Sequence, residues 1–194
     1  MATMTPRRPP IFNIPNQLTA ARLVLAVILF GLIAGGHWVW CVVIFAVAAF
    51  TDWLDGYMAR VRGQTSALGR NFDPLVDKVL ICGAFIFLLP VADAGLAAWM
   101  VTLVVARELI ITSLRSYLET AGAKFGADWL GKIKMVLQCV VLLYIFMFLK
   151  WAEVNSWLAV LRDVLIYATL AATALSGLQY VWKAAVMFKA ELET

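Results

Sequence analysis

Charge is scarce in this chain and histidine is nearly absent. Only 14% of the 194 residues are charged and 63% are hydrophobic, whereas soluble domains are about half apolar and a quarter charged. A single core of this size cannot bury the excess. The outer surface must itself be apolar, and lipid is the solvent that tolerates such a surface. His37 is the one histidine, which excludes histidine-rich metal sites and reads as a loop residue at a membrane surface. Cys41, Cys82 and Cys139 stand far apart in apolar runs and lack C-x-x-C spacing. That excludes a disulfide framework and a zinc site and leaves reduced packing residues. The net charge of +4 fits contact with anionic headgroups, and no nucleic-acid partner is expected.

What is present is a series of long apolar runs. A helical span needs about 20 mostly apolar residues, and six stretches qualify: Asn16 to Ile33, Trp38 to Arg60, Gly69 to Leu89, Leu96 to Tyr117, Leu130 to Leu149, and a sixth from Trp157 that projects toward Phe188. Glycine, proline and polar residues separate them, notably Gly35-Gly36, Arg62 to Ser66 and Pro90 to Gly95. No internal repeat or separate soluble domain is visible. The expected fold is therefore all-α: one polytopic membrane domain over 1–194 with six transmembrane helices. The mixed segment Ile11-Phe12-Asn13-Ile14-Pro15 suggests that residues 1–15 form a short interfacial segment ahead of it. Arg22 lies directly against the first apolar run, and Pro-Pro-Ile-Phe follows the twin arginines Arg7-Arg8. Both features favour a retained first span over a cleaved signal.

Basic residues set the orientation. With six spans both termini share one side, and that side collects Arg7, Arg8, Arg60, Arg62, Arg70, Arg115, Lys124, Lys132, Lys134, Lys183 and Lys189. The opposite loops offer little beyond Lys150 and Arg162. An integral cytoplasmic-membrane protein with both termini in the cytoplasm follows. Trp38, Trp40, Trp99, Trp151 and Trp157 cluster near the other span ends, where an aromatic belt belongs.

The most informative stretch is TDWLDGYMARVRGQTSALGRNFDPLVDKV, from Thr51. Asp52 and Asp55 are three apart at the end of the second span, and Asp73 and Asp77 are four apart at the start of the third. Each spacing puts two carboxylates on one helical face. The two helices are joined by a short loop, so they are expected to be antiparallel neighbours whose acidic faces meet across one cavity. An acidic residue at a span centre costs roughly 2.5–3.5 kcal/mol on insertion scales. Nearer the interface it costs less, but four converging carboxylates also repel one another. Two divalent cations would cancel their charge, and hard oxygen ligands suit Mg2+ or Mn2+, which also bind substrate phosphates. Gly56 and Gly69 remove side chains beside the acidic faces, so a nucleotide could approach the backbone. Ala59 keeps the next turn small, Arg60 can grip a phosphate through two donors, and Ser66 offers a hydroxyl in the loop.

The spacing D-x2-D-G-x2-A-R-x8-G-x3-D-x3-D resembles the signature of the CDP-alcohol phosphotransferases. Asp52, Asp55, Gly56, Ala59, Arg60, Gly69, Asp73 and Asp77 match every fixed position, over 26 residues. The resemblance implies metal ligation by Asp52, Asp55, Asp73 and Asp77, with Asp77 also the candidate base. It implies contact with the CDP moiety by Gly56, Arg60 and Ser66, alongside Ala59 and Gly69, and it implies a homodimer. The implied chemistry is attack by an alcohol on the lipid-bound phosphorus of CDP-diacylglycerol, with CMP leaving. Metal neutralises the phosphates, and a carboxylate takes the alcohol's proton.

A second basic set lies outside that signature. Arg107 and Arg115 are eight apart and fall roughly on one face of the fourth span, and Lys132 and Lys134 begin the fifth. Such a cluster could bind a phosphate on the acceptor. The segments NIPNQLTAARL, ARELIITSLR and GKIK resemble the phosphatidylglycerophosphate synthase branch, which implies glycerol 3-phosphate as acceptor. Asn16, Thr19 and Arg22 recur every three residues on the first span and are expected to face the same cavity, with Asn16 near the nucleotide. Two alternatives stay open at this point. One keeps the chemistry but changes the acceptor, to inositol phosphate or to a cardiolipin- or serine-type reaction. The other is a divalent cation transporter, which would leave Gly56, Arg60 and Gly69 without a role.

Overall fold

The computed structural model describes the backbone of residues 14–62, 67–120, 129–151 and 156–192, and the side chains of 17, 19–51, 75–116, 129–151 and 156–187. Within these residues every regular element is a helix and there is no strand. Six helices run in order: α1 (Ile14–Ala34), α2 (Trp38–Arg62), α3 (Ala67–Leu88), α4 (Ala98–Thr120), α5 (Trp129–Trp151) and α6 (Ser156–Leu192), with one 3-10 turn at Ala92–Ala94 between α3 and α4. Each expected span is a helix with ends within a few residues of the expected ones. The expected interfacial segment lies almost wholly outside the described residues.

Local chemistry explains the breaks. Gly36 has φ +68°. The Gly36 amide donates to the Ile33 carbonyl at 3.1 Å, and the His37 amide donates to that of Leu32 at 2.9 Å. This is the paired cap that a left-handed glycine permits after a helix. After α3, Leu89 precedes Pro90, which lacks an amide hydrogen and disfavours helical geometry in the residue before it. Gly95 then turns the chain with φ +73°. Arg162 on α6 closes over this corner, donating to the Asp93 carbonyl at 2.7 Å.

The packing stripe on α1 is Thr19, Arg22, Ala26, Leu29 and Ile33, all buried at alternating steps of three and four. Such spacing keeps one helix face on its neighbours. α1 packs on both α2 and α3, α5 packs on α2 and α6, and α4 packs on α6. The side-by-side contact expected of α2 and α3 is thus not their main contact in the described residues. α1 packs against both, because its small Ala26 and the notch at Gly83 let it approach closely. A Cβ at Gly83 would stand 2.1 Å from the Phe30 ring, and that ring stacks on Phe87 at 4.9 Å.

The interior has two tiers. One end is apolar, built from residues such as Leu29, Ile33, Phe45, Leu88, Val104, Ile145 and Phe146. The other end carries the buried polar groups Thr19, Arg22, Glu108, Lys134, Gln138 and Ser176. The outer surface is reversed, with Val24, Val27, Phe50, Leu109, Val136 and Leu178 exposed. Two helices, Trp129–Trp151 and Ser156–Met187, are long and apolar enough to cross a bilayer, and Thr19–Ala34 and Trp38–Thr51 are shorter apolar stretches. On α5, Trp129 and Trp151 are both exposed, and a rise of 1.5 Å per residue separates them by about 33 Å. That matches a hydrocarbon layer about 30 Å thick with aromatic residues at both interfaces. The 37 residues of α6 extend about 55 Å by the same rise, well beyond that layer.

Candidate active site

Helix position sets where the four aspartates stand along the chain. Asp52 and Asp55 stand ten and seven residues before the end of α2, and Asp73 and Asp77 stand six and ten after the start of α3. The two pairs therefore come to matching depths at one end of the bundle. The side chains of Asp52, Asp55, Asp73, Gly56, Ala59, Arg60 and Gly69 lie outside the described residues, although their backbones are helical; so does the side chain of Asn16. Ser66 lies outside entirely. Among the described residues no group of three or more His, Cys, Asp or Glu is close enough to hold a metal, and only Asp77 of the four aspartates is in that set. The chemistry of the expected donor set, four carboxylates carried on two helices, is that of hard oxygen ligands, which fit a divalent metal.

Asp77 turns toward α1. Arg22 is 1% exposed, and its Nη1 donates to Asp77 Oδ1 at 2.8 Å. Thr19 is buried one turn earlier on the same stripe, so Thr19 and Arg22 both turn into the bundle. A bound guanidinium fixes the carboxylate's rotamer and supplies a compensating charge where water is sparse.

The next residue on α3, Lys78, faces the other way. Its ammonium donates to the Thr112 hydroxyl on α4, and that hydroxyl donates to the Glu108 carbonyl at 2.6 Å. Glu108, 6% exposed, gathers two of the predicted acceptor residues. Its Oε1 accepts from Arg107 Nη1 at 3.2 Å and from the Lys134 ammonium on α5. Arg107 continues to α6, where it donates to the Ser176 hydroxyl and lies 5.9 Å from the Tyr180 ring centre. Gly177 makes room for this crossing, since a Cβ there would stand 3.3 Å from Arg107 Cγ. Consecutive residues of α3 thus reach Arg22 of α1 on one side and Thr112, beside Glu108 of α4, on the other.

The structure brings Arg107 and Lys134 together and not the other two predicted acceptor residues. Lys132 is exposed, because positions two apart on a helix do not share a face. Arg115 is exposed and lies about 12 Å further along α4, although it remains within electrostatic range of Lys78. Sequence reasoning passed over Glu108, Lys78 and Ser176. A signal for Glu108 was available, since a carboxylate within an apolar run is itself a functional candidate. Ser176 carried none, because a hydroxyl in a helix usually satisfies itself on the preceding turn, as Thr173 does on Thr169 at 2.7 Å.

Comparison with known proteins places the chain among characterised relatives. The profile of the CDP-alcohol phosphatidyltransferase family matches residues 12–175. A protein of Shigella flexneri serotype 5b named CDP-diacylglycerol–glycerol-3-phosphate 3-phosphatidyltransferase is 34% identical over 179 residues, covering 88% of this chain and 93% of that protein. A Salmonella typhimurium protein of the same name shows the same identity and coverage. One from Blochmanniella floridana, also so named, is 30% identical over 184 residues, covering 89% of this chain and 90% of its own.

Proposed function

The chain belongs to the CDP-alcohol phosphatidyltransferase family, and from that premise we propose how its residues carry out phosphatidyl transfer from CDP-diacylglycerol to glycerol 3-phosphate. It is a phosphatidyltransferase of phospholipid biosynthesis and a membrane protein. The products of the reaction are phosphatidylglycerol phosphate and CMP. The observation that carries the reading is the α3 junction, where Asp77 faces Arg22 and Lys78 faces the Arg107–Glu108–Lys134 cluster. Transfer from a donor phosphorus to an acceptor hydroxyl needs the two subsites to adjoin, and neighbouring positions on α3 would supply that.

The family uses divalent metal. In our reading Asp52, Asp55, Asp73 and Asp77 hold two ions, Mg2+ or Mn2+. When bound, the metal neutralises the pyrophosphate and the charge that develops in the transition state. Asn16, Gly56, Ala59, Arg60, Ser66 and Gly69 form the nucleotide side. Arg107 and Lys134 take the acceptor's phosphate, with Arg115 and Lys132 at the entrance. The acceptor hydroxyl attacks the phosphorus bonded to diacylglycerol, and the bond from that phosphorus to the CMP oxygen breaks. The hydroxyl proton passes to the Asp77 carboxylate, whose orientation Arg22 maintains. Six spans, cytoplasmic termini and site, a single domain and a homodimer complete the proposal. The apolar tier beneath the site speaks against a transporter, which needs polar groups toward both faces.

The experiment is product analysis by mass spectrometry with purified protein, CDP-diacylglycerol, and glycerol 3-phosphate competing with inositol phosphate. Phosphatidylglycerol phosphate is the expected product. Chelator should abolish turnover, and Asp77→Asn should lower kcat by about 100-fold or more, the scale of losing general-base help, while the protein still inserts and purifies. Exclusive labelling of inositol phosphate would reject the acceptor, and full activity in chelator would reject the metal site.

A further inference from the structure

Glu108 is more than a stabilising partner for its neighbours. Burying an ion pair rarely gains stability over apolar packing of the same volume, so stability alone gives little reason to keep this one. The balance of charge is also wrong for a closed structural network. Among the described residues, Arg107 and Lys134 share the one Glu108 carboxylate and the Lys78 ammonium lies within its electrostatic range, so positive charge there outnumbers negative by two. An interior with that surplus accommodates a dianion, and a phosphate monoester carries about −1.5 to −2 at neutral pH.

We propose that Glu108 is a positioning residue of the acceptor site, clamping Arg107 and Lys134 at one spacing and trimming the local charge to that of one phosphate monoester. The proposal rests on the acceptor reading above and deepens it. Both cations meet one oxygen, Oε1, so the carboxylate fixes their separation directly. The Glu108 backbone carbonyl holds Thr112, and through it Lys78. The guanidinium is further braced from α6 by Ser176. Without the carboxylate, like charges from α4 and α5 would repel one another and spread, and each encounter with the acceptor would have to reassemble them.

The test is steady-state kinetics of the full-length protein in mixed micelles, varying glycerol 3-phosphate and CDP-diacylglycerol separately. Glu108→Gln should raise KM for glycerol 3-phosphate about 10-fold or more, the scale of a hydrogen bond to a charged group, with kcat and the KM for CDP-diacylglycerol changed less than about threefold. Glu108→Asp should recover part of the loss. In a Lys134→Ala background Glu108→Gln should add little, because the lysine through which it acts is gone. A wild-type KM in Glu108→Gln, beside a raised KM in Arg107→Ala and Lys134→Ala, overturns the role of Glu108 and leaves the acceptor site standing. Wild-type values in Arg107→Ala and Lys134→Ala overturn the acceptor site itself. Equal loss of kcat and of both KM values in Glu108→Gln and Glu108→Asp, with matching loss of thermal stability, marks a purely structural residue and also overturns the proposal. If Glu108→Gln does not fold, the same readings on Glu108→Asp decide it.

Discussion

Lys132 and Lys134 show how much two positions matter on a helix. They share a charge, a residue type and nearly a position, yet Lys134 is buried against Glu108 and Lys132 is exposed. An exposed ammonium is hydrated and screened, and its attraction for a phosphate is worth little. A buried one is screened far less. Lys134→Ala should therefore raise KM for glycerol 3-phosphate by about 10- to 100-fold, on the scale of a charged hydrogen bond, and Lys132→Ala by about threefold or less. Initial-rate measurements over a range of acceptor concentrations check this, and the reverse order would place the phosphate outside the bundle. Arg22 makes the same point from α1. It closed the polar repeat Asn16, Thr19, Arg22 in the sequence, and only the fold supplied its partner, Asp77, 55 positions away.

Elements are held in register by glycines that do different work. Gly95 needs its positive φ, and a Cβ there would stand 2.5 Å from Arg162 Nε. Gly95→Ala should lower stability by about 1–2 kcal/mol, the cost of a left-handed alanine, and leave both KM values unchanged because the corner is at the end of the bundle away from the site. Gly177 is an ordinary helical glycine whose open face receives Arg107. Gly177→Leu should displace the guanidinium from Ser176 and raise KM for glycerol 3-phosphate about 10-fold, as loss of one charged hydrogen bond does. Melting in detergent and kinetics on the same preparations separate the two effects. Equal behaviour of the variants would show that α6 does not brace the acceptor site.

At the scale of the whole molecule, polarity is inverted. Buried charges gather at one end, apolar side chains face outward, and exposed tryptophans lie at both ends of α5. With the site facing the cytoplasm, the loop at His37, which is exposed, lies on the opposite side. A cysteine placed there, in a chain with Cys41, Cys82 and Cys139 replaced, should react with a membrane-impermeant maleimide in intact cells. A cysteine at exposed Lys132 should react only after lysis. Labelling of Lys132→Cys in intact cells would reverse the orientation.

Helix existence, number and approximate ends were determined by the sequence alone. A lipid-crossing helix must be apolar over some 20 consecutive residues, and that property is local and one-dimensional. The expected carboxylate pairing on α2 and α3 rests on the same local kind of argument, since spacings of three and four fix a shared face on any helix. The rotation of each helix against its neighbours was decided only by the tertiary structure. A helix apolar nearly all round packs and faces lipid with the same kinds of side chain, so its sequence barely marks an inward stripe. Hence the placing of α1 against both α2 and α3, and the meeting of Lys78, Glu108, Lys134 and Ser176 from four helices, could be seen only once the bundle had closed.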